Sequence, residues 1–190
     1  MKKSTMGTVL IISTLLLLSF GFISSQQVLS HDDKFWDFSN LKRPGVLPVN
    51  NENYKEECGS CHMAYSPGLL PKQSWIKVMG NLEDHYGDNA ELLPQQHSEI
   101  LNYLTTNAAD FSKYKRSRKV MASLNKTKLI DRITLTPYFI RKHDEISKKF
   151  VIDNPKVGSF SQCNLCHSNT ENGSFSEDEV SIPGAGYWHD

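Results

Sequence analysis

The four cysteines of the chain occur in two Cys-x-x-Cys-His pentapeptides, at residues 58–62 and 163–167. Two thiols three residues apart lie on one face of a helical turn, and the histidine that follows lies on the same face. This spacing lets both thiols reach the vinyl groups of one porphyrin while the imidazole binds the iron, so each motif predicts a c-type haem. The predicted haem-binding residues are Cys58, Cys61, His62, Cys163, Cys166 and His167, with His62 and His167 as proximal iron ligands.

Three other uses of four cysteines are weaker. Two disulfides would suit an exported chain, but they leave both following histidines without a role. A zinc site built from all four cysteines would need pairs more than 100 residues apart to converge, whereas zinc ribbons space their pairs more tightly. A thioredoxin-like redox motif needs a βαβ context, and the sequence has no such pattern.

Residues 1–25 have the layout of a secretory signal peptide. Lys2 and Lys3 precede an apolar run over residues 6–23, and Ser24 and Ser25 are small enough for a cleavage site. The alternative is a retained membrane anchor, because this run is at the lower edge of what spans a bilayer. Either way, residues 26–190 are expected outside the cytoplasm. A periplasmic protein is predicted, with at most peripheral membrane contact unless the segment is retained.

The net charge of residues 26–190 gives no reason to expect a nucleic-acid partner, and it does not exclude any class of protein partner. Residues 26–190 hold 19 Lys and Arg (21 minus Lys2 and Lys3) against 21 Asp and Glu, a net charge of −2. Residues 113–132 are the exception, because their single acidic residue is Asp131. Their basic residues are Lys113, Lys115, Arg116, Arg118, Lys119, Lys126, Lys128 and Arg132.

The elements that must position the motifs are predicted to be helices. Apolar residues recur at three- and four-residue steps over residues 71–86, 95–106 and 136–148, and no alternating strand pattern persists. The fold is therefore predicted to be mostly α. We divide the chain into a signal peptide (1–25), an extended arm (26–53), an N-terminal haem lobe (54–112), a basic connector (113–135) and a C-terminal haem lobe (136–190). Little regular structure is expected around the second motif, whose lobe has few large apolar residues of its own.

The sixth iron ligand determines the chemistry, since an open iron binds ligands while a second histidine favours a low potential. Five histidines remain outside the motifs. His31 lies in the arm and His189 beside the C-terminus, so both are expected in solvent. His85 and His143 lie on the apolar faces of the first and third predicted helices, which makes them the predicted distal ligands. His97, near the start of the second helix, ranks third.

Methionines are the rival ligands. Met63 directly follows a proximal histidine, Met79 fits packing equally well, and Met121 lies in the basic connector. Spacing favours the histidines, because His85 follows the first motif closely and His143 precedes the second. Spacing alone leaves open whether each distal histidine serves its own lobe or the other one.

These motifs together resemble the dihaem cytochrome c family of bacterial periplasms. The resemblance spans about residues 57–183, including the segments 57–65, 67–71, 85–90 and 132–139, and both Cys-x-x-Cys-His motifs. It implies a cytochrome-c-like N-terminal haem lobe and a loosely structured C-terminal haem lobe. It further implies two haems with two histidine ligands each, His62 with His85 and His167 with His143.

The predicted function is electron transfer by two bis-histidine haems rather than catalysis. The resemblance implies redox partner proteins, such as a membrane cytochrome b or a monohaem cytochrome c, and no nucleic acid. The alternatives are a dihaem peroxidase and a haem-based ligand carrier or sensor. Both alternatives need an iron with a vacant distal site, and the peroxidase also needs acid–base groups above it.

Overall fold

A computed structural model describes residues 44–125 and 128–188, and within them the fold is mostly helical, as the sequence predicted. The α-helices are α1 (Glu52–Cys58), α2 (Lys72–Met79), α3 (Pro94–Thr106), α4 (Lys115–Ser123), α5 (Pro137–His143) and α6 (Cys163–Cys166). Short 3-10 turns lie at Pro67–Leu69, Leu82–Asp84, Ala109–Phe111, Ile133–Leu135, Lys148–Phe150, Thr170–Asn172 and Glu177–Glu179. The strands β1 (Ser181–Ile182) and β2 (Gly186–Tyr187) form a small antiparallel hairpin.

A hydrophobic core cluster lies where α2 packs on α3. Trp75 and Met79 of α2 are each 4% exposed, and Ile100 and Leu104 of α3 are almost completely buried. These four residues belong to the apolar stripes predicted from the sequence, and burying each contributes roughly 1.5 to 3 kcal/mol. The indole N–H of Trp75 donates to the carbonyl of Pro67 at 2.8 Å. The core therefore holds the chain directly after the first haem motif.

Two of the three predicted helices end earlier than expected. The helix predicted over residues 71–86 stops at Met79, where Gly80 donates its N–H to the Ile76 carbonyl at 3.0 Å. Glycine disfavours further helix because it loses the most backbone entropy. The helix predicted to reach residue 148 ends at His143, although its start is as predicted: the Thr136 hydroxyl caps it by accepting from the Phe139 N–H. The middle helix, α3, agrees with its prediction within one residue.

The arm and the connector have more structure than the sequence indicated. Val46, in the described end of the arm, is fully buried, and the N–H groups of Gly45 and Val46 both donate to the Gly173 carbonyl. The basic connector contains helix α4, whose Ser117 and Val120 are buried. The predicted signal peptide and most of the predicted arm lie outside the described residues. The predicted lobe boundaries stay predictions.

The loosely structured C-terminal lobe is not confirmed. Residues 136–188 contain α5, α6, three 3-10 turns and the β1–β2 hairpin, in which Ser181 pairs with Tyr187 and Ile182 with Gly186. The described residues all fall in one compact unit of the chain. None of the helices within residues 44–125 and 128–188 has the length and apolar character needed to cross a bilayer.

Candidate haem sites

The two Cys-x-x-Cys-His motifs differ in backbone conformation. The second forms the helical turn that the spacing predicts: α6 covers Cys163–Cys166, and the His167 N–H donates to the Cys163 carbonyl at 2.8 Å. The first does not, because α1 ends at Cys58 and residues 59–62 form bends. Gly59 caps α1 and lies so close to the Lys55 carbonyl oxygen that a Cβ would collide with it. The expectation of a helical turn is therefore wrong for the first motif.

No disulfide joins the four cysteines, all of which lie among the described residues, and burial raises the pKa of two of them. Burial raises the pKa of Cys58, with a smaller contribution from Glu57, to about 11. It raises the pKa of Cys163 to about 11 as well. Cys61 is exposed, and Cys166 is half-buried.

The histidines predicted as iron ligands lie near each other in two pairs, with ring planes at 34° for His62 and His85 and at 76° for His143 and His167. The ring centroids of His62 and His85 are 6.4 Å apart, and those of His143 and His167 are 6.2 Å apart. Two metal–imidazole bonds of about 2.0 Å plus the ring radii sum to roughly 6 Å. Each pair thus leaves room for one metal ion between its rings, and each pairs a motif histidine with the neighbouring predicted distal histidine.

Hydrogen bonds fix the tautomer of one histidine in each pair. The Nδ1 of His62 lies 2.8 Å from the Met63 carbonyl oxygen, and the Nδ1 of His143 lies 2.9 Å from the Phe139 carbonyl oxygen. A carbonyl only accepts, so both Nδ1 atoms carry the proton and both Nε2 atoms keep a lone pair. Such hydrogen bonds typically orient a metal-binding imidazole. Aromatic rings support both side chains: Tyr65 stacks on His62 at 4.5 Å and Phe139 on His143 at 3.9 Å.

A strained turn holds His85. Its N–H donates to the Asp88 carbonyl at 2.7 Å, and Tyr86 and Gly87 at the centre of the turn have φ values of 60° and 107°. Two consecutive positive φ values define a turn that glycine adopts without strain, whereas tyrosine is strained there. The Tyr86 hydroxyl donates to the Asp131 carbonyl at 2.8 Å, and the Arg132 guanidinium lies 3.9 Å from the Tyr86 ring centroid. These contacts compensate for strain at a functional position.

The surroundings favour neutral imidazoles, the form that binds iron. Burial is the main cause that lowers the pKa of His85, His143 and His167. The shift is largest for His167, whose pKa falls to about 4 because the neighbouring His143 and Arg116 add to the effect of burial. These three side chains are therefore uncharged and able to coordinate a metal at neutral pH.

A pocket adjoins the second motif. Its lining is mainly apolar: Phe139, His143, Ile146, Val151, Val157, Ser159, Phe160, Gln162, Cys163, Cys166, His167, Val180 and Ile182. A neighbouring pocket shares Phe139, His143, Ser159 and Phe160 with it. These features fit a covalently attached haem: two paired imidazoles, the unprotonated Nε2 of His143, and an apolar lining beside the two cysteine side chains.

The lower-ranked ligand candidates are engaged elsewhere. The Nε2–H of His97 donates to the Met79 carbonyl at 2.8 Å, and the Met79 side chain lies in the α2–α3 core. Met121 lies on α4. Met63 supplies the carbonyl that orients His62. His31 and His189 lie outside the described residues.

The sequence did not indicate that the two motifs touch each other. The Tyr65 hydroxyl donates to the Ser161 carbonyl at 2.7 Å, and the Gln162 amide donates to the Cys61 carbonyl at 3.3 Å. Tyr65 also stacks on His62, so one side chain connects the first motif with the residues directly before Cys163. These contacts join residues about 100 positions apart, which no local pattern can reveal.

Comparison with known proteins agrees with this geometry. The family model of the dihaem cytochromes c matches residues 54–175. The chain belongs to the dihaem cytochrome c family. A dihaem cytochrome c from Shewanella baltica OS155 is 47% identical, with a TM-score of 0.61, over 73% of this chain and 98% of that chain. A dihaem cytochrome c structure from Rhodobacter sphaeroides is 38% identical, with a TM-score of 0.61, over 68% of this chain and all of that one.

A second Rhodobacter sphaeroides structure of this kind is 33% identical over 68% of this chain, with a TM-score of 0.53. No curated protein matches the chain. Family membership confirms the predicted cofactors, because a dihaem cytochrome c carries two covalently bound c-type haems. It also implies haem-based electron transfer.

Proposed function

We propose that this dihaem cytochrome is a periplasmic electron carrier in which two histidines hold each iron. His62 and His85 would bind the first iron, and His167 and His143 the second. Cys58 and Cys61 would form the thioethers of the first haem, and Cys163 and Cys166 those of the second. The observation that carries this proposal is the pairing of the rings at 6.4 and 6.2 Å.

The chain's residues support one-electron transfer rather than turnover of a substrate. Each haem supplies an iron that changes between ferric and ferrous. Imidazole stabilises the ferric state more than a thioether does, so two histidines favour a low potential. His62 and His143 are held by a hydrogen bond and a stacked ring, which limits their movement between oxidation states. A peroxidase or ligand sensor would need one distal position open, and both distal histidines lie opposite a motif histidine.

Contacts between the motifs favour fast exchange of electrons within the molecule. The hydrogen bond from Gln162 to Cys61 links the residue before Cys163 to a thioether residue of the first haem. Tyr65 links His62 to Ser161 by stacking and a hydrogen bond. Both contacts connect residues close to those proposed to hold different haems.

A basic surface on and beside α4 is the proposed docking site for a redox partner. It consists of the exposed side chains of Lys113, Lys115, Arg118 and Lys119. The ion pairs formed by the described residues involve none of these four. An acidic partner protein would be steered toward such a surface. A membrane cytochrome b as donor and a monohaem cytochrome c as acceptor are the proposed partner classes.

Spectroscopy of the ferric protein tests the proposed ligation. Two low-spin haems in the absorbance and electron-spin-resonance spectra, without the near-infrared band of methionine ligation, are expected. A high-spin haem in the wild-type protein would favour the peroxidase or sensor alternative.

Cell fractionation of the full-length protein tests the proposed location: haem staining is expected in the periplasmic fraction, or in the membrane fraction if the N-terminal segment is retained.

A further inference from the structure

Arg116 does not belong to the basic surface of α4, although its sequence position suggests that it does. Its guanidinium lies inward, where Nη1 donates to the Tyr138 hydroxyl at 2.8 Å and Nη2 donates to the Phe175 carbonyl at 2.7 Å. Its Nε is buried and has no hydrogen-bond partner within residues 44–125 and 128–188. The side chain is therefore a fixed cation within the fold.

The groups that hold Arg116 do not neutralise it. A tyrosine hydroxyl and a backbone carbonyl are both uncharged, and the ion pairs of the described residues do not include Arg116. Charge in the interior of a protein acts at longer range than charge at the surface, because the effective dielectric constant is lower and salt does not screen it well. Arg116 therefore projects a positive potential onto its surroundings.

Those surroundings are the second haem site. The Arg116 guanidinium carbon is 5.6 Å from the Phe175 ring centroid, and the Phe175 ring is 5.3 Å from that of His167. Tyr138, the other partner, directly precedes Phe139, which stacks on His143. The charge of Arg116 also contributes to the lowered pKa of His143 and of His167, after the larger effect of burial.

We propose that Arg116 raises the reduction potential of the second haem relative to the first. The inference rests on the proposed ligation of that haem by His143 and His167. When the ferric iron gains one electron, from the reduced first haem or from an external donor, the site loses one positive charge. A neighbouring cation disfavours the ferric form more than the ferrous form, so it makes this reduction more favourable. Arg116 thereby biases electrons toward the second haem.

The first site has an arginine too, but in a different setting. Arg132 stacks on Tyr86 beside His85 and is exposed to solvent, and it also lines the pocket next to His143. Water and salt screen such a charge. The second site also has anions, Asp144 next to His143 and the half-buried Glu179 near His167, which partly oppose Arg116. Glu179 accepts a hydrogen bond from the Ser174 hydroxyl at 2.5 Å. Arg132 is the matched control for the effect of burial.

The test is a redox titration of both haems in wild-type protein and in Arg116→Gln, Arg116→Met, Arg116→Lys and Arg132→Gln. The second haem is identified as the one whose potential moves in His143→Met. In Arg116→Gln we expect the equilibrium constant for electron transfer from the first haem to the second to fall on the order of tenfold. A tenfold change equals about 59 mV for a one-electron couple. Arg116→Lys should largely restore the wild-type value.

Several outcomes overturn the proposal. The proposal is wrong if Arg116→Gln shifts the reduction potential of the second haem no more than Arg132→Gln shifts that of the first haem. It is also wrong if Arg116→Lys shifts the reduction potential of the second haem as much as Arg116→Gln does. Arg116→Met keeps the aliphatic stem and is the second neutral variant in case Arg116→Gln does not fold. Loss of low-spin ligation in both neutral variants would show that Arg116 is only structural. Failure of the proposed function is distinguishable, because it would appear as a high-spin haem in wild-type protein.

Discussion

The two proposed haem sites use the same residue types but are built on different supports. In the first, the motif leaves its helix after Cys58, and His85 lies in a strained turn. In the second, His143 is the last residue of α5 and His167 directly follows α6. In the first site, the imidazole that stacks on an aromatic ring is that of the motif histidine, His62. In the second site, it is that of the distal histidine, His143.

This difference shows that ligand identity alone does not define a haem site. Both sites present two imidazoles at nearly equal separations. The first has an exposed Arg132 beside a turn, whereas the second has an inward Arg116 and an apolar pocket. Axial ligands set the broad range of a haem potential, and burial and neighbouring charge then separate two haems that share the same ligands.

The largest expected effect comes from removing the thioether cysteines. Wild-type protein should have the mass of the mature polypeptide plus two haems, retained after denaturation and acid–acetone extraction. Cys163→Ala with Cys166→Ala should lose one haem, and so should Cys58→Ala with Cys61→Ala. The second site should lose more thermal stability, because the α2–α3 core supports the first site independently. Intact-mass spectrometry measures the haem content, and thermal unfolding measures the stability. A wild-type mass that matches the bare polypeptide with two disulfides would contradict the haem assignment.

Replacement of the distal histidines should affect one iron at a time. His85→Ala and His143→Ala should each leave one low-spin haem and open the other iron to carbon monoxide. His85→Met or His143→Met should raise a single potential, since axial ligand choice moves haem potentials over roughly 0.8 V across proteins. His97→Ala is the matched control, and it should keep both haems low-spin because His97 is bonded to the Met79 carbonyl. Two low-spin haems in both alanine variants would refute the ligand assignment.

Removal of the Tyr65 hydroxyl should loosen the connection between the sites. Tyr65→Phe keeps the ring that stacks on His62 but deletes the hydrogen bond to the Ser161 carbonyl. Loss of such a bond costs roughly 0.5 to 1.5 kcal/mol in the free energy of unfolding. Guanidinium-induced unfolding followed by haem absorbance measures this change. Tyr103→Phe is the control, because its hydroxyl makes a longer, exposed contact with the Asn50 N–H at 3.3 Å; an equal loss in both variants would contradict a specific role for Tyr65.

The smallest expected effect concerns the basic surface. Lys115→Gln with Arg118→Gln should slow electron transfer from an acidic flavin-binding redox protein severalfold at low ionic strength and reduce the salt dependence of the rate. Lys128→Gln with Lys148→Gln neutralises two exposed cations outside the basic surface and serves as the control. Stopped-flow reduction measures the rates. If both double variants behave alike, the cations of α4 have no steering role.

Several features of this protein follow from the sequence by itself. Haem attachment depends on three residues within five positions, so the motifs predicted two haem sites without any knowledge of the fold. The apolar stripes predicted Trp75, Met79, Ile100 and Leu104, which the structure places in the core. The Thr136 and Pro137 pair predicted the start of α5. These signals are local, because a helical period and a cap involve residues only a few positions apart.

The tertiary structure decided what depends on distant residues. Spacing left the pairing of the histidines open, and only the path of the chain brings the His85 ring near His62 and the His143 ring near His167. Helical periodicity predicted that His85 lies on a helix, but the capping glycine at position 80 ends that helix first. Charge alone grouped Arg116 with its neighbours on α4. Its inward position results from the Tyr138 hydroxyl and the Phe175 carbonyl, partners 22 and 59 residues away.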